Sequence, residues 1–524
     1  MKKLTIIAIV LLFALFSFII WINAGKERQT PAAENIEAVK TADKPVIVLI
    51  VDSLMDRSLK KAINEGRAPA LRFFFEKGRY HPGAVNAYPT MSVSIDNTIM
   101  TGAYPDRHRV AGLVWYNEDE HRIVNYGSGK NDIAALGVKQ PIKDAMYALN
   151  QKHLSPQVKT VHEELEKRGK HSASINGLVY RGGYDHDLNI PPPVKRLGLM
   201  PEKMAVKGPA IFSFGRFSQA DPHNRYQRIW NGYGLNNKFT AQELSYLIKK
   251  HKLPSLTVAY FPDNDHSTHH KGPADVSGLE KTDQQLQRIL NAYDSWDAAA
   301  EQAVWIVMGD GGQTSIGRDR QKSVIRLRSL FDDYRIPKID KRPSEKDQLM
   351  FGVNDRMAFI YMLDQSISVN DAVKPLAQDE RVGFAAWKDG GWVYATSKKA
   401  GKPLRFRPGG AYADQYGQTW TIDGDFSVLD LSADGTSLSY GDYPDALARL
   451  FSACHSHPGR YIIADAKPGF QFADHTSPIH PGGGGHGSLY KTDSLAPMII
   501  IGSQETPGHF RHVDLKDFFL KLAK

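Results

Sequence analysis

Asp265 and His269 stand four residues apart in Tyr260–Pro273, a segment in which an apolar run ends abruptly in acidic residues and histidines. Residues four apart share one face of a helical turn, so this carboxylate and this imidazole can bind the same ion. The segment also holds Asp263 and His266. Such groups pack poorly at the end of an apolar strand, but they bind metals well. The segment therefore predicts a metal site and favours a metallohydrolase.

Three further side chains of this kind stand beside short apolar runs that predict buried strands. They are Asp52 after residues 46–51, Asp310 after residues 304–308, and His486 shortly before residues 498–501. In open α/β sheets, ligands bind at the carboxyl ends of the strands, so we expect these side chains to gather around one site. Asp52 could instead cap a following helix, and this alternative stays open.

The apolar runs also indicate the fold. Continuous β-branched stretches of roughly four to eight residues are typical of strands that are buried on both faces. Helical patterns lie between them, at Leu59–Glu65, Gln157–Arg168 and Leu279–Ala299. This alternation predicts an α/β fold with a mostly parallel central sheet and helices on both faces. Alternating residues with glycine-rich turns at about 380–432 predict a small antiparallel β insertion.

A hydroxyl-rich segment follows Tyr88, and it predicts a helix from about Ser92 to Met100 that ends at Thr101-Gly102. A hydroxyl at a helix N-terminus lies beside free backbone amides in a positive dipole field, which stabilises an anion there. If a metal also binds that hydroxyl, it can act as a nucleophile. Either Thr90 or Ser92 could instead be a simple helix cap.

Composition narrows the classes of function. The formal net charge is +9, but the basic residues are scattered, which indicates solubility and mild attraction to anions rather than a nucleic-acid groove. The single cysteine, Cys454, cannot form an internal disulfide, and it excludes cysteine-rich zinc sites.

The N-terminus predicts targeting to a membrane. Lys2 and Lys3 precede a nearly uninterrupted apolar run over residues 4–22, which is about long enough to span a bilayer. We interpret residues 1–25 as a signal anchor, with a cleaved signal peptide as the alternative. Residues 26–43 then form a linker. With both lysines inside the cell, the rest of the chain is expected to be extracytoplasmic.

Taken together, these segments resemble the alkaline phosphatase superfamily, and within it the branch of type I phosphodiesterases/nucleotide pyrophosphatases. The family's nucleophile segment matches Pro89-Thr-Met-Ser92, followed by Thr101-Gly-Ala-Tyr-Pro-Asp-Arg-His108. Its Asp-x-x-x-His-x-x-Gly-Pro segment, counted back from Gly272-Pro273, selects Asp265 and His269. Its histidine before glycine matches His486-Gly487. The resemblance implies a catalytic domain at 44–524, with an insertion at about 320–480.

The resemblance also implies two divalent metal ions, with zinc preferred. It assigns Asp265, His269 and His486 to one ion, and we call these residues the first-metal group. It assigns Asp52, Ser92 and Asp310 to the other ion, and we call these the second-metal group. Ser92 would attack phosphorus, and water would then hydrolyse the phosphoseryl intermediate.

The chain departs from the family pattern at the second ion. Gly311 stands where the family has a histidine ligand, which leaves an oxygen-rich site that suits Mn²⁺ or Mg²⁺. The ion could instead recruit a ligand such as Gln313, bind weakly or be absent. A segment longer than the family's precedes Asn117, which is the candidate for binding the phosphate.

The sequence thus predicts an extracytoplasmic, metal-dependent phosphomonoesterase or phosphodiesterase. The alternative is a catalytically impaired relative that serves as a surface binding or structural module. Sulfatase chemistry is a weaker third hypothesis, because Ser92–Asp96 lacks the proline and arginine that formylglycine formation needs. The sequence leaves the ester class and the oligomeric state open.

Overall fold

The structure is a computed structural model that describes residues 36, 38, 39 and 41–524. The predicted targeting segment and most of the predicted linker lie outside the described residues. Within the described part, no helix combines the length and the apolar character needed to cross a bilayer.

The central sheet has seven strands. In spatial order they are Arg79–Val85, Leu495–Ile501, Val304–Gly309, Val46–Val51, Leu256–Phe261, Ser172–Ile175 and Ile211–Ser213. The last five run parallel to one another, whereas Leu495–Ile501 is antiparallel to both of its neighbours. The prediction of a mostly parallel central sheet is confirmed.

Both faces of this sheet are covered, and the strand Val46–Val51 shows how. Its six residues are all buried, and they alternate between two hydrophobic cores. Val46, Val48 and Ile50 pack in one core with the helix Ser92–Thr101, whereas Ile47, Leu49 and Val51 pack in the other. Because successive strand residues point to opposite faces, a continuous apolar run is what a sheet buried on both sides requires.

The α-helices of eight or more residues pack against this sheet or, for Val369–Gln378 and Ala446–Cys454, against a second sheet. They are Asp56–Asn64, Pro69–Lys77, Ser92–Thr101, Asn237–Lys249, Asp263–Lys271, Ser277–Leu290, Val369–Gln378, Ala446–Cys454 and Leu515–Leu522. Two helices differ from the prediction. The one expected to start near Gln157 begins at Val161, because Thr160 forms a capping box with Glu163. The pattern at 279–299 divides into Ser277–Leu290 and Trp296–Gln302, and Ser295 caps the second helix.

A second sheet follows in the chain, and it is largely antiparallel. Its strands are Leu349–Asn354, Met357–Met362, Val382–Asp389, Trp392–Thr396, Leu404–Asp414, Thr419–Asp423, Leu431–Asp434, Ser437–Tyr440 and Tyr461–Ala466. The sheet extends well beyond the predicted range of 380–432. Its first two strands are buried on both faces, so they lack the alternation that marked the others. The boundaries of the predicted insertion stay a prediction.

Candidate metal centre

A cleft of about 790 Å³ lies at the carboxyl ends of the central strands, where α/β folds place their ligands. Five of the predicted site residues line it: Asp52, Ser92, Asp265, His269 and His486. Asp310 is buried beside them, since its Oδ1 accepts a hydrogen bond of 3.0 Å from the backbone N–H of Ser53. The fold thus gathers residues from five separate segments of the chain.

The first-metal group is compact. Ligand atoms of Asp265, His269 and His486 all lie within 4.8 Å of one another. Asp265 Oδ1 lies 3.3 Å from His269 Nε2 and 3.7 Å from His486 Nε2, and the two Nε2 atoms are 3.2 Å apart. Asp265 and His269 share one face of the helix Asp263–Lys271, as their spacing predicted.

Backbone carbonyls orient both imidazoles. His269 Nδ1 lies 2.9 Å from the carbonyl oxygen of Gly484, and His486 Nδ1 lies 2.6 Å from that of Thr90. A carbonyl can only accept, so both Nδ1 atoms donate, and in each ring Nε2 is the nitrogen left on the Asp265 side, where it can give up a proton and bind an ion. This second hydrogen bond is what normally fixes a metal-binding histidine.

The electrostatics of this group favour a cation. Burial lowers the pKa of the His269 imidazole, but Asp265 outweighs burial and raises that pKa to about 9. Burial also opposes ionisation of Asp265, yet His269 lowers the pKa of this carboxyl below its usual range. One carboxylate and two imidazole nitrogens at this spacing are a donor set that suits zinc.

The second-metal group is made of oxygen donors. The Tyr260 hydroxyl donates to Asp52 Oδ2 and lies 3.4 Å from Asp310 Oδ2, so it bridges the two carboxylates. Burial, followed by the charges of Asp310 and Asp265, raises the pKa of Asp52 well above its usual value. Burial likewise raises the pKa of Asp310. Buried acids that repel one another fit a hard divalent cation.

Ser92 is the hydroxyl that faces the cleft. It is the first residue of the helix Ser92–Thr101 and it lines the cleft. Burial raises the pKa of Asp310, and a hydrogen bond from Ser92 partly offsets that rise. Thr90, in contrast, is 1% exposed. Its hydroxyl accepts a hydrogen bond of 2.6 Å from the backbone of Gly487 and donates one of 3.2 Å to the carbonyl of Ser488. The Thr90 hydroxyl is therefore committed to the loop that carries His486.

Gly311 leaves little room for a side chain. A Cβ atom there would lie 3.1 Å from Asn86 Nδ2 and 3.3 Å from Ile95 Cδ1. Gln313, the alternative ligand that the sequence offered, makes its contacts at the first-metal group. Its Nε2 donates to Asp265 Oδ1 at 2.7 Å and to Ser53 Oγ at 3.0 Å. Gln313 therefore supports the first-metal group.

Asn117 is not among the residues that line the cleft. It ends the strand Val114–Asn117, and its Oδ1 accepts a hydrogen bond of 3.2 Å from the backbone N–H of Glu120. This contact closes a tight turn. The role of Asn117 in phosphate binding stays a prediction.

The structure adds residues that the sequence did not single out. Ligand atoms of Asp355 and His480 lie within 4.8 Å of each other and of one on His269. Burial lowers the pKa of the His480 imidazole to about 4, so it is neutral and offers a lone pair. Asp355 lies in a turn of the second sheet, where no strand-end pattern marked it. Tyr260 is another such residue, because its place in an apolar run gave no sign that its hydroxyl contacts Asp52 and Asp310.

A model of the type I phosphodiesterase/nucleotide pyrophosphatase family matches residues 46–402. Murine ectonucleotide pyrophosphatase/phosphodiesterase 5 has a similar structure, with a TM-score of 0.55, 12% identity, and coverage of 92% of this chain and 95% of that one. Phosphonoacetate hydrolase from Sinorhizobium meliloti 1021 is also similar, with a TM-score of 0.53, 14% identity, and coverage of 93% and 97%. No curated protein sequence matches the chain significantly.

Proposed function

The chain belongs to the type I phosphodiesterase/nucleotide pyrophosphatase family, and we propose that it hydrolyses phosphate monoesters or diesters through a phosphoseryl intermediate on Ser92. The observation that carries this proposal is the position of Ser92. Ser92 is the first residue of a helix, and it lines the cleft beside Asp310 and close to the first-metal group.

Each residue has a role that follows from its contacts. Ser92 Oγ attacks phosphorus, and the bond from phosphorus to the leaving oxygen breaks. The leaving group takes up a proton, equivalent to the one that the Ser92 hydroxyl loses. Water later cleaves the Oγ–P bond, which releases phosphate from a monoester or a phosphomonoester from a diester and restores the Ser92 hydroxyl. The N-terminus of the Ser92–Thr101 helix favours negative charge at this point. Two divalent ions, when held by the two groups, would neutralise charge on the phosphoryl oxygens.

The cleft has room for an organic substituent on the phosphate. Beyond the metal centre it is lined by apolar side chains, namely Leu113, Leu178, Phe214 and Leu235. Lys130 and Asn131 are exposed and also line it, so they offer polar contacts. AMP and phosphonoacetate are the ligands of two similar structures, and both join a phosphorus oxyanion to an organic group. These features support a substrate in which a phosphorus oxyanion carries an organic group, as it does in a phosphate ester.

The proposal is tested with p-nitrophenyl phosphate and bis(p-nitrophenyl) phosphate in the presence of Zn²⁺ or Mn²⁺. Ser92→Ala should lower kcat on the order of 1,000-fold or more, because it removes the hydroxyl that forms the intermediate. Ser94→Ala is the matched control, since Ser94 lies on the same helix but is fully buried, and it should retain activity. Wild-type turnover in Ser92→Ala would remove the nucleophile.

A second candidate is a catalytically impaired relative that acts as a binding or structural module. Gly311 favours it, because the family's histidine is missing there. Metal analysis of the purified chain separates the two functions: two ions per chain favour the enzyme, and no bound ion favours the module.

We also propose that the chain is extracytoplasmic and anchored by its N-terminal apolar run, residues 4–22. Cell fractionation with protease accessibility is the test. Full-length chain in the membrane fraction, cleaved by protease added outside the cytoplasm, is expected. Full protection in the cytoplasm would contradict the proposal.

A further inference from the structure

We propose that Asp96 supplies the metal ligand that Gly311 cannot, so that the second ion is bound by Asp52, Ser92, Asp96 and Asp310. This inference rests on the proposed function, because it takes the Ser92 side of the cleft to be a metal site.

The position of Asp96 on its helix is the first argument. Asp96 lies four residues after Ser92 in the helix Ser92–Thr101, so the two side chains share one face. Side chains on a helix lean toward its N-terminus. Asp96 therefore leans toward the end of the helix where Ser92 opens into the cleft.

The second argument is that Asp96 lacks a partner. The residue is only 2% exposed, and its Oδ1 accepts no hydrogen bond from any group in the described part of the chain. A buried carboxylate oxygen without a partner is costly, and in native proteins it calls for an explanation such as an ion.

The third argument is that Asp96 lies near other buried carboxyl groups. Asp96, Asp310 and Asp52 are all buried, and Asp96 lies close enough for its charge to act on the other two carboxyls. Three buried acids that act on one another in this way are stabilised together by one divalent cation.

The packing around Gly311 connects the missing histidine to Asp96. A Cβ atom on Gly311 would lie 3.3 Å from Cδ1 of Ile95, the residue next to Asp96. The helix that carries Asp96 therefore occupies the space beside Gly311. Position 311, at the strand end, thus lacks the family's imidazole, whereas the adjacent helix supplies the carboxylate of Asp96.

The rival ligand is Gln313, which also has a buried oxygen without a partner, Oε1. Its amide nitrogen is bound to Asp265 and Ser53, and Oε1 lies against the backbone at Gly484. Exchanging the amide nitrogen and oxygen would bring Oε1 to Asp265, which belongs to the other ion. Asp96 has no such commitment, because its Oδ1 is buried without a hydrogen-bond partner on the helix face that it shares with Ser92.

The proposed ligand set has a chemical consequence. Three carboxylates and a serine oxygen form an all-oxygen site, which suits Mn²⁺ or Mg²⁺. The first-metal group contains two imidazoles and suits zinc. The two ions of this chain should therefore differ in metal preference.

The test is Mn²⁺ binding to the full chain, measured by isothermal titration calorimetry and by electron paramagnetic resonance of free Mn²⁺. Wild type should bind a second Mn²⁺. Asp96→Asn should lower the affinity for that ion at least about 10-fold, because one charged ligand is lost. Asp265→Asn should instead lower the affinity for the ion of the first-metal group. Asp283→Asn is the matched control, because Asp283 is a fully buried carboxylate whose oxygens accept hydrogen bonds from the backbone N–H groups of Ala70 and Leu71. It should leave both ions unchanged.

Wild-type affinity for both ions in Asp96→Asn would overturn the proposal. So would a wild-type chain that binds a single ion, if Asp96→Asn did not affect that ion. These outcomes are independent of turnover, so a chain that binds two ions but hydrolyses nothing would contradict the proposed function and leave Asp96 supported.

A second measurement avoids any failure of Asp96→Asn to fold. Anomalous diffraction from wild-type crystals soaked in Mn²⁺ should place an ion about 2.1 Å from an Asp96 oxygen, as expected for a hard octahedral cation. An ion bound to Asp52 and Asp310 with Asp96 outside its coordination shell would overturn the proposal.

Discussion

At the scale of single residues, the first-metal group depends on hydrogen bonds that lie behind the imidazoles. Gly484 and Thr90 hold the Nδ1 atoms of His269 and His486 through their carbonyl oxygens. The two Nε2 atoms are thereby presented 3.2 Å apart on the side of Asp265. Two neighbouring lone pairs repel unless a proton or a cation lies between them.

We expect His269→Ala to lower the affinity for the first ion, because it removes a direct ligand. The loss should exceed the roughly 10- to 100-fold that follows removal of an outer-sphere partner. Zinc content after dialysis and competition with a chromogenic chelator measure this effect. His270→Ala is the control, since His270 is exposed on the same helix, and it should keep the wild-type zinc affinity. Equal loss in the two variants would contradict the assignment.

Restoring the family's histidine should destabilise the chain. Gly311→His places a Cβ 3.1 Å from Asn86 Nδ2, which itself donates to the Asp493 carbonyl at 2.9 Å. Crowding of this kind costs about 1–3 kcal/mol of unfolding free energy, which urea denaturation can measure. Gly311→Ala adds only the Cβ, so we expect it to cost less. Unchanged stability in Gly311→His would show that Asn86 moves aside freely.

At the scale of elements, a buried ion pair anchors the segment that carries His486. Arg356 Nη1 lies 2.6 Å from Asp493 Oδ1, and both side chains are fully buried. The backbone N–H of Arg356 also donates to the carbonyl of His486 at 2.8 Å. Arg356 lies in the turn of the first hairpin of the second sheet. The second sheet thus holds His486, a ligand of the first-metal group, in place.

Arg356→Met should therefore cost about 3–5 kcal/mol of unfolding free energy, because it leaves the Asp493 charge buried and uncompensated. Chemical denaturation measures this cost. The double variant Arg356→Met/Asp493→Asn removes both charges, so it should be less destabilised than the sum of the two single variants. Strict additivity would mean that the two side chains are not coupled.

At the scale of the whole molecule, the cleft concentrates negative charge in a chain whose net charge is +9. Asp52 and Asp265 line the cleft, and Asp96 and Asp310 are buried beside them. Burial acts to raise the pKa of all four, and only at Asp265 is it outweighed, because His269 lowers the pKa of that carboxyl. Bound cations should therefore contribute to the stability of the fold as well as to its chemistry.

Removing the metals should lower the melting temperature of the full chain. An ion present at about 100 times its Kd stabilises the folded state by about 2.7 kcal/mol, and chelation with dipicolinate removes this term. Differential scanning calorimetry before and after chelation, and after adding Zn²⁺ and Mn²⁺ back, is the measurement. The Asp52→Asn/Asp265→Asn variant should show a smaller shift. A chelator effect of equal size in that variant would indicate ions bound elsewhere.

Several parts of this molecule are encoded in short stretches of sequence. The spacing of Asp265 and His269 predicts one helical face, and continuous apolar runs predict strands buried on both sides. The helix that begins at Ser92 and ends at Gly102 was also predictable, because glycine readily adopts the left-handed conformation found there. These features depend on period and on local backbone preference, which a window of a few residues contains.

Other parts were decided only by tertiary structure. Tyr260 lies in an apolar run and Asp355 in a turn, yet both reach the metal centre. Which lone pair of His486 faces the cleft depends on a carbonyl almost 400 residues earlier in the chain, at Thr90. Whether Gly311 leaves a gap depends on Asn86 and Ile95. The sequence by itself therefore determined which residues could bind metal and which elements carry them. Packing between distant segments decided which donor atoms meet, because direction and free space are properties of contacts rather than of spacing.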